Sequence, residues 1–256
     1  MIHVLDGAAV LTGASAWMDL SEKIKIVPQE DAIRTFSPSA LYAMKAVGLL
    51  APKPMPQAMV CLSGATGMMA DQFEVPIRLS KSGTLSGPLF TKNSRKIHPL
   101  SLIRSLQNQI PSALSQAFQI HGPVFNSIES ATAMAYFLPN IRHLVKGGQR
   151  VLLVLASAAD RREEKSKRQC FFPNSQGIEG AFAFLLGSSD GVGRVSLHSE
   201  GSNDATTQPT QELPWGDPIL AAGHHLFYCL QKKPESEILC FQDAWGHLAR
   251  ITWRKC

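Results

Sequence analysis

The chain has 256 residues and a mass of 27.9 kDa, 45% of them hydrophobic and 18% charged, enough to bury a sizeable core as one large domain or two small ones. Its formal net charge is +5 and its pI about 9.0, but no Lys/Arg block interleaved with aromatics appears, which argues against nucleic acid as a partner. No apolar stretch reaches the ~20 residues that a membrane-spanning helix needs, so no membrane span is expected.

The N-terminal run carries Asp6 and no basic segment before it, so no signal peptide is expected. Five cysteines, an odd number without CxxC or Cys/His spacings, point to reduced thiols in the cytoplasm and to no metal site or cofactor. Residues 2–11 alternate poorly but are apolar enough for a buried strand ending at Gly13. Trp17 and Met18 then read as loop packing. Ser37 as cap and Pro38 in first position start a helix, SPSALYAMKAVGLL, which Gly48, Pro52 and Pro54 should end. Met59 to Gly64 is a second buried strand with Cys61 as a core thiol, and Gly64 and Gly67 allow a tight turn.

Residues 80–98 are polar and basic (Lys81, Lys92, Arg95, Lys96), a surface loop that is either solvated or a docking element. The segment from His98 to Ile120 holds two short helical patterns broken at Pro111. After the Gly122-Pro123 turn, Val124, Phe125, Asn126, Ser127 and Ile128 form a short alternating strand. Left open at a sheet edge it would be a liability, so pairing with a partner subunit is expected. A run of small residues leads into an apolar helix interrupted at Pro139, and Gly147-Gly148 opens the buried strand VLLVLAS. Strand, elbow, helix and strand in this order would present the elbow residue, Glu129 or Ser130, at the start of a buried helix.

Residues 158–175 carry a dense charge cluster and then Phe171-Phe172-Pro173, read as a solvated excursion and a core plug. GAFAFLL is a further buried strand. Arg194 to His198 is a short strand, followed by a long polar connector. Asp217-Pro218 caps a final helix, and two strands around Asp243–Gly246 make a hairpin. His224 and His225 lie about 100° apart on that helix, so one is expected buried and the other exposed. His98 and His121 are near the elbow in sequence only.

The set HGPVFNSIESATAMAYFLPNIRHLVKGGQRVLLVLAS, GIEGAFAFLLG (Gly177–Gly187) and VLDGAAVLTGASAW resembles the β-ketoacyl synthases of the thiolase fold. The resemblance implies a layered α/β/α sandwich, with residues 1–190 as the synthase N-terminal-like domain and 191–256 as a truncated C-terminal part on the same core. It departs from an active synthase in two ways. The nucleophile position falls at Ser130 or Glu129, and the cysteines stand elsewhere, at Cys61, Cys170, Cys229, Cys240 and Cys256. A thiolate is what attacks an acyl thioester. The family's paired histidines are also missing, since Gly223-His224-His225 lacks the accompanying lysine.

The pattern is similar to chain-length factors, which pair with an active ketosynthase in polyketide or aryl-polyene-type synthesis and shape its product. The partners this implies are an active ketosynthase subunit and an acidic acyl carrier protein, with Val124–Ile128 as the strand pairing across the interface. Two alternatives stay open: a stand-alone acyltransferase or hydrolase using Ser130 with a histidine, and an accessory protein that only binds an acyl carrier protein.

Overall fold

The structure, a computed structural model, describes residues 1–12, 24–26, 36–66, 108–128, 132–158, 178–188, 193–197, 217–242 and 248–255. In chain order they form β1 (Ile2–Leu11), β2 (Ile24–Ile26), α1 (Pro38–Leu50), β3 (Ala58–Thr66), α2 (Gln109–Phe118), β4 (Val124–Ile128), α3 (Ala133–Lys146), β5 (Val151–Ala158), β6 (Gly180–Gly187), β7 (Gly193–Leu197), α4 (Pro218–Lys232), β8 (Ser236–Gln242) and β9 (Leu248–Lys255).

All the strands belong to one nine-stranded sheet in the order β4-β3-β5-β6-β1-β7-β9-β8, with β2 pairing parallel to the end of β1. β3 pairs parallel with both β4 and β5, and the β5, β6, β1, β7, β9 and β8 contacts are antiparallel. Every residue of VLLVLASA and of GAFAFLLG is buried, as strands covered on both faces require.

β6 shows how the two faces differ. Phe182, Phe184 and Leu186 point to one side, where α3 and α4 pack; Ala181, Ala183 and Leu185 point to the other, with α1 and α2. The small side meets Ala40, Ala43 and Ala46 of α1, so that helix lies close to the strands. The large side stacks Phe182 and Phe184, ring centroids 6.5 Å apart, and tilts Phe227 of α4 against both. Layers of helix, sheet and helix follow directly from this sorting.

The poor alternation of residues 2–11 has a structural cause. The register of β1 against β6 shifts between Val4 and Asp6, a β-bulge that reverses the phase of the side chains. Ile2 and Val4 before it, and Ala9 and Leu11 after it, therefore reach the same core.

Four local expectations are corrected. α1 runs through Gly48, and Ala51, in the left-handed region at φ 45°, terminates it. Pro111 does not break a helix but sits in the first turn of α2, where its missing N–H has no helical acceptor to serve. α3 continues through Pro139, whose ring lies on the exposed side while Leu138, Ile141 and Val145 stay buried; core packing of that stripe outweighs the lost bond. Gly64 lies inside β3 and makes no turn.

Beyond residue 190, β7, β9 and β8 extend the sheet from β1, and α4 packs on β1, β3, β5, β6 and β8. Trp253 of β9 is fully buried in the same cluster as α3 and α4. Among the described residues no helix is long and apolar enough to cross a membrane. Trp17, Met18, Gly67, the 80–98 segment, His98, the 159–177 segment and the Asp243–Gly246 turn lie outside the described residues.

Candidate functional site

β1, β3, β4 and β5 run in one direction, and their C-terminal ends lie together at one rim of the sheet. α2, between β3 and β4, packs on one face, and α3, between β4 and β5, packs on the other. Such a reversal of winding opens a crevice beyond the strand ends, where open α/β sheets bind ligands. Glu129 and Ser130 follow β4 directly at this rim in the sequence but lie outside the described residues.

Buried polar groups collect at the rim, although strand interiors elsewhere are apolar. On the α4 side, the Ser157 hydroxyl donates to Asp217 Oδ2. The other carboxylate oxygen, Oδ1, accepts from the backbone N–H groups of Ile219 and Leu220, at 2.8 and 3.3 Å, and so caps α4. Gly64 lies against this pair, and a Cβ there would collide with Ser157 and Asp217. Its glycine character serves close approach, not a turn.

On the α1 side, the Tyr42 hydroxyl donates to Glu179 Oε2 at 3.0 Å, and Glu179 is 1% exposed. The Thr12 hydroxyl accepts from Glu179 N–H at 2.9 Å and lies 3.3 Å from the Glu179 carbonyl, which also takes the Thr12 N–H at 3.0 Å. Gly180 follows at φ 152°, pressed against the Val10 carbonyl. Between β3 and β4, the Ser63 hydroxyl donates to the Ser127 carbonyl at 3.3 Å. Thr12, Tyr42, Ser157 and Asp217 as rim contacts escape sequence reading. They are brought together over 60 to 167 residues of separation, and Asp217 shows in the sequence only as a helix cap.

This rim holds structure together more than it offers chemistry. The Ser157 hydroxyl is committed to a carboxylate, and His224 lies seven residues beyond Asp217, about 10 Å along the helix, too far for a Ser157–His dyad. Burial, reinforced by the neighbouring His225 charge, lowers the His224 pKa to about 4, and burial also lowers that of His225. A general base works best near the operating pH, so His224 is a weak one. Both histidines are half-buried, their rings 6.2 Å apart, in place of the expected buried and exposed pair. His121 is exposed in the loop before Gly122.

The buried free cysteines Cys61 and Cys229 are equally unsuited to nucleophilic work. Cys61 lies wholly buried on β3, and burial pushes its thiol well above the ordinary range. Burial and the nearby Glu237 raise the Cys229 thiol on α4 to about 12. Reactive thiols need the opposite shift.

The interface candidates Val124, Phe125, Asn126, Ser127 and Ile128 are β4, the terminal strand of the sheet path, hydrogen-bonded to β3 on one side. Val124 is exposed, and Phe125, Asn126 and Ser127 are half-buried. Phe125 packs on Phe137 of α3, centroids 5.8 Å apart, and the adjacent Tyr136 is 75% exposed. Phe125, Phe137 and Tyr136 thus lie on the α3 side of this margin, while Val124, next to Phe125 on the strand, points to the opposite face.

No protein-family model matches the chain, and no curated protein sequence does. Solved structures do. A chain of the ketosynthase ApeO in complex with its chain length factor ApeC from Xenorhabdus doucetiae superposes with a TM-score of 0.56 at 12% identity, over 99% of both chains. The complex AntDE:AntF, a type II PKS acyl-carrier protein with its ketosynthase bound to the hexaketide, gives 0.60 at 8% identity over 100% of this chain and 99% of the other. The ishigamide ketosynthase/chain length factor gives 0.53 at 11%, covering 84% and 80%. From end to end, the chain has the thiolase-type α/β/α fold of ketosynthases and chain length factors.

Proposed function

We propose that this chain is a non-catalytic, chain-length-factor-like subunit that pairs through β4 and the outer face of α3 with an active β-ketoacyl synthase. There it helps set how far an acyl or polyene chain is extended in polyketide or aryl-polyene-type synthesis. The observation that carries this reading is the edge of β4, which no described strand covers, with the exposed Val124 on the strand and the 75% exposed Tyr136 next to the Phe125–Phe137 pair. A regular edge strand with apolar side chains invites another strand, and Tyr is among the residues that anchor interfaces.

The chemistry supports a borrowed active site. Residues 128–133 read Ile-Glu-Ser-Ala-Thr-Ala, with no sulfur nucleophile, and Cys61 and Cys229 are buried with raised pKa values. Glu129 or Ser130 is then a vestige of the nucleophile position, and the partner performs the condensation. Residues 191–256 complete the core under α4 as a reduced C-terminal part. An acyl carrier protein delivers substrate to the pair, and the free thiols fit a cytoplasmic setting.

Co-expression with a ketosynthase from the same gene neighbourhood tests the proposal. A stable complex should form, and Tyr136→Asp with Val124→Asp should dissociate it. Condensation of acyl and malonyl groups by the purified chain alone would overturn the reading.

A further inference from the structure

The far end of the sheet carries an arrangement that the pairing reading does not use. Side chains alternate along a strand. Val195, Ile251, Trp253 and Leu239 point into the core with α3 and α4, so Arg194 of β7, Arg250, Thr252 and Arg254 of β9 and Ile238 of β8 point to the opposite face. α1 and α2 cover that opposite face over β1, β3, β5 and β6, and no described side chain of β7, β8 or β9 joins their layer. Arg194 and Arg254 are both exposed, and Ile238 is 56% exposed.

The register sharpens this. His3, Arg194 and Arg254 are direct cross-strand neighbours in one row across β1, β7 and β9. Adjacent strands lie about 4.8 Å apart, so two guanidinium groups stand side by side, and like charges directly opposite oppose sheet pairing. The nearest acids give no relief. Glu235 is engaged by Lys255 Nζ at 3.0 Å, and Glu237, opposite Trp253 in the register, turns to the core side beside Cys229. Among the described residues no carboxylate pairs with Arg194 or Arg254. In the next row, Thr252 pairs with Ile238, placing an exposed aliphatic side chain beside the arginines.

We propose that this face docks peripherally on an anionic phospholipid surface, with Arg194 and Arg254 on headgroup phosphates and Ile238 dipping into the interface. Guanidinium groups suit phosphate oxygens geometrically, and exposed Arg194 and Arg254 with exposed Ile238, set around the buried Thr252, fit an interface of headgroups and acyl chains. The formal net charge of +5 adds long-range attraction to such a surface. β4 lies at the other end of the sheet path, so a partner subunit there does not cover Arg194, Arg254 or Ile238.

Co-sedimentation with vesicles of phosphatidylcholine, with and without phosphatidylglycerol, tests it. The intact chain should bind only the phosphatidylglycerol vesicles and release at high salt. Arg194→Glu with Arg254→Glu should weaken partition by more than about tenfold, since each cation near such a surface contributes roughly that order of affinity. Arg142→Glu with Lys146→Glu, on the exposed side of α3, changes net charge equally and should retain most of the binding. No sedimentation of the intact chain, equal loss in both double variants, or capture of an acidic protein in place of vesicles by these arginines would overturn the proposal. An unchanged melting temperature confirms that the variants are folded.

Discussion

The two ends of the sheet present different surfaces. At one end β4 is short and parallel to β3, its one neighbour among the described residues, with exposed Val124 on the strand and exposed Tyr136 next to the Phe125–Phe137 pair. At the other, β7, β9 and β8 form an antiparallel ribbon whose outer face shows Arg194 and Arg254 around Ile238. Apolar side chains at an edge invite strand addition, whereas the arginines stand on β7 and β9, set in from the β8 edge. On the proposal that the partner pairs at β4, the ribbon end is left to the charged face.

The largest test of this contrast removes the anchor of the ribbon. Trp253 is fully buried against the cluster that α3 and α4 share. Trp253→Ala should cost about 3–5 kcal/mol in denaturant unfolding, in one transition if the ribbon and the parallel strands share a core. Two separated transitions would show that the ribbon folds by itself. At the β4 end the expectation reverses. Tyr136→Asp should leave unfolding within about 0.5 kcal/mol, as exposed positions do, yet weaken ketosynthase pairing by about 2 kcal/mol or more if Tyr136 is a buried anchor in the complex. Equal pairing by Tyr136→Asp and the intact chain would move the interface elsewhere.

Asp217 joins the two ends, since it caps α4 and accepts the Ser157 hydroxyl from β5. Asp217→Ala should cost about 1–2 kcal/mol, the range of a lost N-cap. Ser157→Ala made on top of it should cost less than Ser157→Ala alone, because residues that share a hydrogen bond are coupled. Additive losses would separate the cap from the strand contact.

What was legible in the residues was local and periodic. The continuous apolar runs at Val151 and Gly180, the Ser37-Pro38 start of α1 and the Asp217-Pro218 cap each act within a few positions, and each formed where expected. Pro139 and Pro111 misled because helix-breaking strength was judged without position: one ring lies on an exposed face and the other in a first turn. The rim contacts Tyr42–Glu179 and Ser157–Asp217 were illegible for a different reason. Their partners are set by sheet order, which places β5 between β3 and β6, and no local pattern encodes that order. The arginine row was hidden likewise, since Arg194 and Arg254 become neighbours only through the register of β7 on β9.

The smallest expected effect is a pH dependence carried by α4. The folded chain holds His224 at a pKa of about 4, below its ordinary value of 6.5. Between those values the unfolded chain binds a proton that the folded chain refuses, so stability rises with pH across this window and is fully present above it. From pH 6.5 to 5.5 the loss from His224 is about 1 kcal/mol. His224→Gln should remove that slope in denaturant unfolding. Because α4 packs on β8 as well as on β5, amide exchange at pH 5.5 should quicken first in α4 and β8, while β3 and β4 keep their protection. A uniform loss of protection would place the titration that matters outside α4.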